Sequence, residues 1–434
     1  MQHSKLFTSL FVSASIFALA ACGGGGSDPT KTTTGAAAPA SAASTASDAG
    51  IAGIPSSTPA SVGATVPASP VTPVTTTPAS PVTPSTPVTP SNPTVPVTPV
   101  TPVTPTVPVT PVTPTTPTAA AIPFYGINGH YVQGGLSQTV PLSTQAASLA
   151  DLGVRSFRQD MYSTQDIDTI ASTVIPGLGA NVQVLPCIIP YPWNDPSLNG
   201  STPTEASAYA YAYTIAAHAA TAFKGIPVVE FGNEYDIDSH NAAIANDGQN
   251  VTDFDNNTWP IWRGSLRGSA DGWHSVDTQH TTKIMATAAA GWTRVGWVAG
   301  MLNGTQPDGT SGHQKVVTDI INWHWYQDGG DFENAIGNQG TYNTLAQLHT
   351  LFNLPIMFTE IGSSPDQSTA AQQAYITKTI PELVAAKAAY NVIGAEWYEL
   401  YDYPNDAFGV MTSATAKKAT YSTLKSAIAA SPVQ

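Results

Sequence analysis

Eight short apolar runs, each followed by a helix-patterned segment, fill the chain from residue 124 to residue 429. The runs lie at 124–130, 154–160, 182–189, 228–234, 295–303, 320–326, 356–362 and 392–400, and most are rich in β-branched or aromatic residues. Runs of this kind, bounded by turn residues, read as strands buried on both faces, as in a parallel sheet. Helical patterns follow at 143–152, 166–178, 205–223, 278–291, 342–352 and 369–389, and a last one at 416–429 closes the chain. The fifth crossover, around 313–318, is only weakly helical. Residues 235–276, rich in Asp, Asn and Trp, read as an irregular insertion after the fourth strand. Consecutive β-α units in this number predict an α/β fold closed into a (β/α)8 TIM barrel. An open doubly wound sheet is the rival, and no Gly-x-Gly-x-x-Gly turn follows any of the runs.

Two glutamates stand at the ends of such runs. Glu234 closes PVVEFGNEY (227–235), and Glu360 lies in PIMFTEIG (355–362). On this strand count Asn233-Glu234 ends strand four and Glu360 lies on strand seven. Paired carboxylates on rigid elements are what hydrolysis of a glycosidic bond needs. The pairing resembles the retaining glycoside hydrolases of clan A. The segments WYELYD (397–402), FGV (408–410) and KATY (418–421) are similar to the C-terminal strand and closing helix of families near glycoside hydrolase family 39. The resemblance covers the chain from about residue 124 to 429. It implies that Glu234 is the general acid/base and Glu360 the nucleophile, with the two carboxyl groups ~5 Å apart. It further implies that Asn233 binds the sugar 2-hydroxyl and that Arg158 holds the nucleophile ionised. Of the strand-six pair, Tyr326 is expected to hydrogen-bond the nucleophile and His324 to touch substrate. Trp397 is expected as the flat platform under the sugar.

Other residues are read from the chain alone. His130, ending strand one, can line a subsite. Trp193, Trp259, Trp262 and Trp273 fall in loops, where they either form further subsites or are buried under the insertion. Glu399 reads as a structural pair. The aspartates from Asp236 to Asp255 lack the spacing of a calcium loop and read as a solvated segment. Metal-dependent hydrolysis would want several His and Asp ligands at strand ends, which this chain does not offer, so neither a metal nor a cofactor is expected.

The first 120 residues have a different character. Residues 1–21 read as a secretory signal with Lys5 ahead of an apolar stretch. LAAC (19–22) resembles a bacterial lipobox, which would leave Cys22 lipid-modified and the protein on the outer membrane, facing the periplasm or the cell surface. Residues 22–118 are an Ala/Ser/Thr stretch and then Pro-Val-Thr repeats. They have no core-forming pattern and favour extended polyproline II, a stalk disordered in the sense of lacking a packed fold. The catalytic domain is thus expected at 119–434. The only other cysteine, Cys187, lies in an apolar run and reads as a core residue. A formal charge of −14 with few basic residues disfavours nucleic acid as a partner. The expected partners are a carbohydrate substrate and, through Cys22, the membrane, with the chain a monomer. The expectation is therefore a stalked, endo-acting retaining β-glycosidase; a non-catalytic carbohydrate-binding surface lipoprotein is the alternative.

Overall fold

A computed structural model describes residues 121–433, apart from 239, 241–245 and 404–406. The signal at 1–21, Cys22 and the stalk at 22–118 lie outside the described residues. Within them are eight parallel strands: β1 Tyr125–Gly129, β2 Ser156–Met161, β3 Gln183–Ile188, β4 Val228–Phe231, β5 Lys283–Met285, β6 Ile321–Tyr326, β7 Ile356–Gly362 and β8 Val392–Trp397. They are hydrogen-bonded in the order β5-β4-β3-β2-β1-β8-β7-β6. A parallel bridge between Met285 and Ile320 joins the two ends of that sheet. Each strand is followed by a helix: α1 Leu142–Leu152; α2, whose middle turn is π-wound, in the pieces Thr164–Thr169, Ile170–Val174 and Ile175–Leu178; α3 Glu205–Ala222; α4 Trp259–Val276; α5 Val295–Asn303; α6 Thr344–Phe352; α7 Thr369–Tyr390; and α8 Ala419–Ala430. The fold is a (β/α)8 barrel.

The sequence reading misplaces the fifth unit. Residues 295–303, expected as strand five, form α5, and β5 lies inside the segment expected as a helix at 278–291. The cause is physical. α5 buries Val295, Gly296, Trp297, Val298, Gly300 and Met301, so it is apolar on nearly every side. A nine-residue run without a polar face carries no period by which helix and strand differ. Residues 259–276, expected as part of an irregular insertion, are α4, the fourth crossover helix. β4 also ends at Phe231, three residues short of Glu234.

Glycine explains why α4 is hard to read. Gly264, Gly268 and Gly272 recur at every fourth position and face α3. A Cβ on them would stand 2.2–2.3 Å from the carbonyl oxygens of Glu205, Tyr209 and Tyr213. The two helix backbones are in direct contact, against an α3 face of Ala208, Ala212, Ala216 and Ala219. Gly268→Ala gains helix propensity but must push the backbones apart, so a net loss of about 1–3 kcal/mol is expected. Urea unfolding measures it; an unchanged midpoint would contradict the close approach.

The barrel interior is layered. Leu185, Val228, Met285, Ile320 and Met357 form an apolar cluster of their own, apart from the larger core between sheet and helices. Charged and amide side chains fill the rest of the interior, and they lead to the site.

Candidate active site

A one-residue irregularity aims Glu360. On β7, Met357 pairs with Asn322 and Phe358 with Trp323, but the next partner of His324 is Glu360, not Thr359. The extra residue resets the alternation, so Glu360 faces the barrel interior beside His324 while Ile361 returns to the outer face beside Trp325. Bulges of this type re-aim side chains next to functional sites. Glu234 is delivered differently. Gly232, with φ +75°, turns the chain off β4, and Glu234 itself adopts φ +50°, a conformation that non-glycine residues seldom take. Tyr235, stacked on Trp262 at 4.4 Å, pins the turn.

Arg158 is the hub. It is fully buried, in the third position of β2, and every guanidinium nitrogen is used. Nε donates to Glu230 at 2.5 Å; Nη1 donates to Asn128 at 2.8 Å, to Glu360 at 3.0 Å and to Asp160 at 3.3 Å. Nη2 donates to Asn233 Oδ1 at 2.7 Å and to Cys187 Sγ at 3.2 Å. A planar, permanently charged fork suits such a role and an ammonium would not. Glu230 also accepts from Asn322 at 2.7 Å. Deeper still, burial pushes the Glu396 carboxyl up to about 8, beside Gly126.

The two glutamates meet over His324. Its Nδ1 is 2.9 Å from Glu234 Oε1 and 3.4 Å from Glu360 Oε2. Tyr326 donates its hydroxyl to Glu360 Oε2 at 2.5 Å. His324 is 1 % exposed, so it serves the carboxylates from within the barrel wall, where the sequence reading had it facing substrate. Burial pushes Glu360 up from the ordinary carboxylate range; His324, Arg158 and the Tyr326 hydrogen bond restrain the rise. Burial would lower His324, but Glu360 and Glu234 hold it above the usual value. One donor atom each from Glu234, His324 and Glu360 fall within 4.8 Å of one another. Such a set could also take a cation, but the Arg158 guanidinium already supplies the positive charge at Glu360.

At the rim, His130 is held between two acids, Nδ1 2.8 Å from Asp160 and Nε2 3.1 Å from Glu399. Glu399, expected in a helix-facing pair, thus faces the barrel mouth. Burial alone would lower the His130 pKa; Asp160 and Glu399 outweigh it and hold it well above the usual range. A protonated His130 therefore contributes stability that is complete below the unfolded pKa of ~6.5 and is lost as pH rises through the raised folded value. In His130→Gln this loss is expected to vanish. Thermal midpoints measured upward from about pH 6.5 should fall more steeply for the wild type, and parallel curves would refute the pairing.

Trp397, expected as the sugar platform, is 2 % exposed and packs on Tyr375 of α7. The parity of β8 is the reason: Glu396 points into the barrel, so Trp397 points to the helices and Tyr398 comes back to the mouth. There Tyr398 meets Tyr326, His130 and Phe408 edge-on, with ring centroids 5.5–5.8 Å apart. Trp259, Trp262 and Trp273 are buried. Of the four loop tryptophans only Trp193 is part-exposed, stacked on His240 at 4.0 Å. The aspartates read as solvated are largely interior. Asp236, Asp247 and Asp253 are buried. Asp247 accepts from the backbone N–H of Asn338 and Gln339 and from Tyr342, tying the loop after β4 to a small antiparallel sheet after β6.

No protein-family profile matches the chain, and no curated protein matches its sequence. Among solved structures it is similar to a family 5 xyloglucanase from Paenibacillus pabuli, at 11 % identity and TM-score 0.50, over 71 % of this chain and 98 % of that one. It is also similar to a Bacteroidetes-affiliated GH5 cellulase (16 %, TM-score 0.48, 72 % and 91 %). A third is a GH128 endo-β-1,3-glucanase from Amycolatopsis mediterranei in complex with laminarihexaose (14 %, TM-score 0.39, 70 % and 98 %). What the chain shares with them is the barrel. Among the described residues no helix is long and apolar enough to cross a membrane.

Proposed function

We propose that the barrel is a glycoside hydrolase that cleaves β-linked glycans with retention of anomeric configuration. One observation carries this reading: carboxylate oxygens of Glu234 and Glu360 lie within 4.8 Å of each other. Carboxyl groups ~5–5.5 Å apart suit double displacement, whereas inversion needs ~6.5–9.5 Å to admit a water between acid and base. In the first step Glu360 attacks the anomeric carbon, the C1–O bond breaks, and Glu234 gives its proton to the departing oxygen. In the second, water attacks C1 while Glu234 takes back a proton, and Glu360 leaves. Arg158 and Tyr326 stabilise the Glu360 carboxylate as it departs, and Asn233, anchored on Arg158, is positioned for the 2-hydroxyl.

Endo-action on extracellular or cell-wall polysaccharide fits a barrel carried on a stalk from a lipid-modified Cys22 at the outer membrane. The mass of the mature N-terminal peptide tests the anchor. For the enzyme, the test is hydrolysis of laminarin, carboxymethylcellulose, xyloglucan, xylan and mannan, with the anomer of the first product read by NMR. Binding without turnover would favour a carbohydrate-binding surface protein instead, and first-formed inverted product would refute double displacement. Glu234→Ala is expected to lose about 10²–10⁴-fold on substrates needing protonation. With an activated aryl glycoside, azide should restore turnover by attacking C1 of the glycosyl-enzyme, which requires no base. A β-glycosyl azide is the diagnostic product, and its absence would remove Glu234 from the acid/base role.

A further inference from the structure

A groove of about 490 Å³ opens beside the candidate site, lined by Gly135, Leu136 and Thr139 from the loop after β1 and by Asp402, Tyr403 and Thr412 from the loop after β8. Both loops follow the C-terminal ends of strands, the face on which barrel enzymes bind substrate. The groove is largely open to solvent. A line of aromatic rings runs from Glu360 to it. Tyr326 holds Glu360, Tyr398 lies 5.8 Å from Tyr326, His130 5.5 Å from Tyr398, and Tyr403 6.4 Å from His130. Tyr403 is fixed by donating its hydroxyl to the Gln133 carbonyl at 2.7 Å, and the Gln133 side chain donates to Asp160 at 2.8 Å. The groove is thereby built onto the same network as the catalytic pair.

Direction follows from the chemistry. The leaving sugar departs on the side of the proton donor, Glu234, beyond β4. The sugar attacked by Glu360 continues away from it, toward β8 and β1. We propose that the Tyr403 groove is a glycone-side subsite, which binds sugar units on the non-reducing side of the bond that is cleaved. This rests on the functional reading above and makes the enzyme one that prefers a long non-reducing segment.

The test uses the full chain. The probes are the reducing-end-labelled hexaose of whichever panel polymer is cleaved (laminari-, cello-, xylo- or mannohexaose) and the matching 4-nitrophenyl monoglycoside. Tyr403→Ala is expected to raise KM for the hexaose roughly ten-fold, the loss of one aromatic contact. It should also move cleavage toward the non-reducing end and lower kcat/KM for the monoglycoside far less than for the hexaose. Thr139→Trp, at an exposed position on the groove wall, should act in the same way by filling it, and Tyr403→Phe should retain most of the hexaose preference. Equal effects on both substrates, or none on the hexaose from either Tyr403→Ala or Thr139→Trp, would overturn the subsite while leaving the enzyme standing. A wild type that cleaves no glycan would overturn both.

Discussion

Glu360→Gln is expected to lower glycoside turnover by on the order of 10⁴-fold or more, since removing a covalent nucleophile leaves only binding and electrostatic contributions. The amide is nearly isosteric; its one oxygen can still accept from Arg158 and its NH2 can donate to the Tyr326 hydroxyl oxygen, so the fold should persist. Initial rates with an activated aryl glycoside, on protein whose circular dichroism matches the wild type, measure the loss. Residual activity above about a hundredth of the wild type would be too much for a side chain that forms the covalent bond. The pH profile adds a second reading. Glu360 attacks only when ionised, and burial raises its pKa against the restraint of His324, Arg158 and Tyr326. Activity should therefore be present above that raised value and be lost as pH falls through it, above the ordinary carboxylate range. Tyr326→Phe removes a hydrogen bond that favours the ionised form and should move the acid limb higher still. An acid limb that stays in place would mean that the short Tyr326–Glu360 contact does not tune the carboxylate.

Much of the barrel was readable because its strands are buried on both faces and its loops are not. The apolar runs at β1, β2, β3, β6, β7 and β8 are recognisable for that reason, as are helices with one polar face, such as α1 and α6. The reading failed where burial is complete or side chains are absent. α5 is sealed in the core and has no polar face, and α4 keeps glycine where an ordinary helix would keep leucine. At the site, the identities of Glu234 and Glu360 were visible in the chain, but their orientation was not. It depends on a one-residue bulge at Thr359 and on the left-handed turn at Glu234, neither of which leaves a pattern in apolar periodicity. Trp397 and Tyr398 show the same limit: a shift of one residue decides which faces the barrel mouth. One signal was present and unused. Glu230 is charged, yet lies inside PVVEF, a run otherwise fit for complete burial. A buried carboxylate requires a buried partner, and Arg158 was the basic residue already placed on β2, across the barrel interior with β3 between.

That partnership sets the second large effect. Arg158→Met keeps much of the volume and removes the cation that Glu230, Glu360 and Asp160 share. Asp160 retains His130, but Glu230 is left fully buried with the neutral Asn322 amide donating to it and no cation beside it among the described residues. Removing one partner of a buried ion pair costs about 3–5 kcal/mol, because the other charge stays behind unpaired. That is a large part of the 5–15 kcal/mol by which a typical domain is stable. Urea unfolding should show it, and Arg158→Lys should recover only a fraction, since one ammonium cannot reach acceptors placed around a planar fork. The sharper test is the pair of substitutions. Adding Glu230→Gln to Arg158→Met removes the stranded charge and should return part of the lost stability, a coupling that contact between independent sites would not produce. Turnover should not return with it: Asn233 loses its anchor and Glu360 its guanidinium whether or not Glu230 is charged. A double variant that regained stability and activity together would show that Arg158 acts on the site only through the fold. A single variant within about 1 kcal/mol of the wild type would mean that the buried charges are compensated by something other than Arg158.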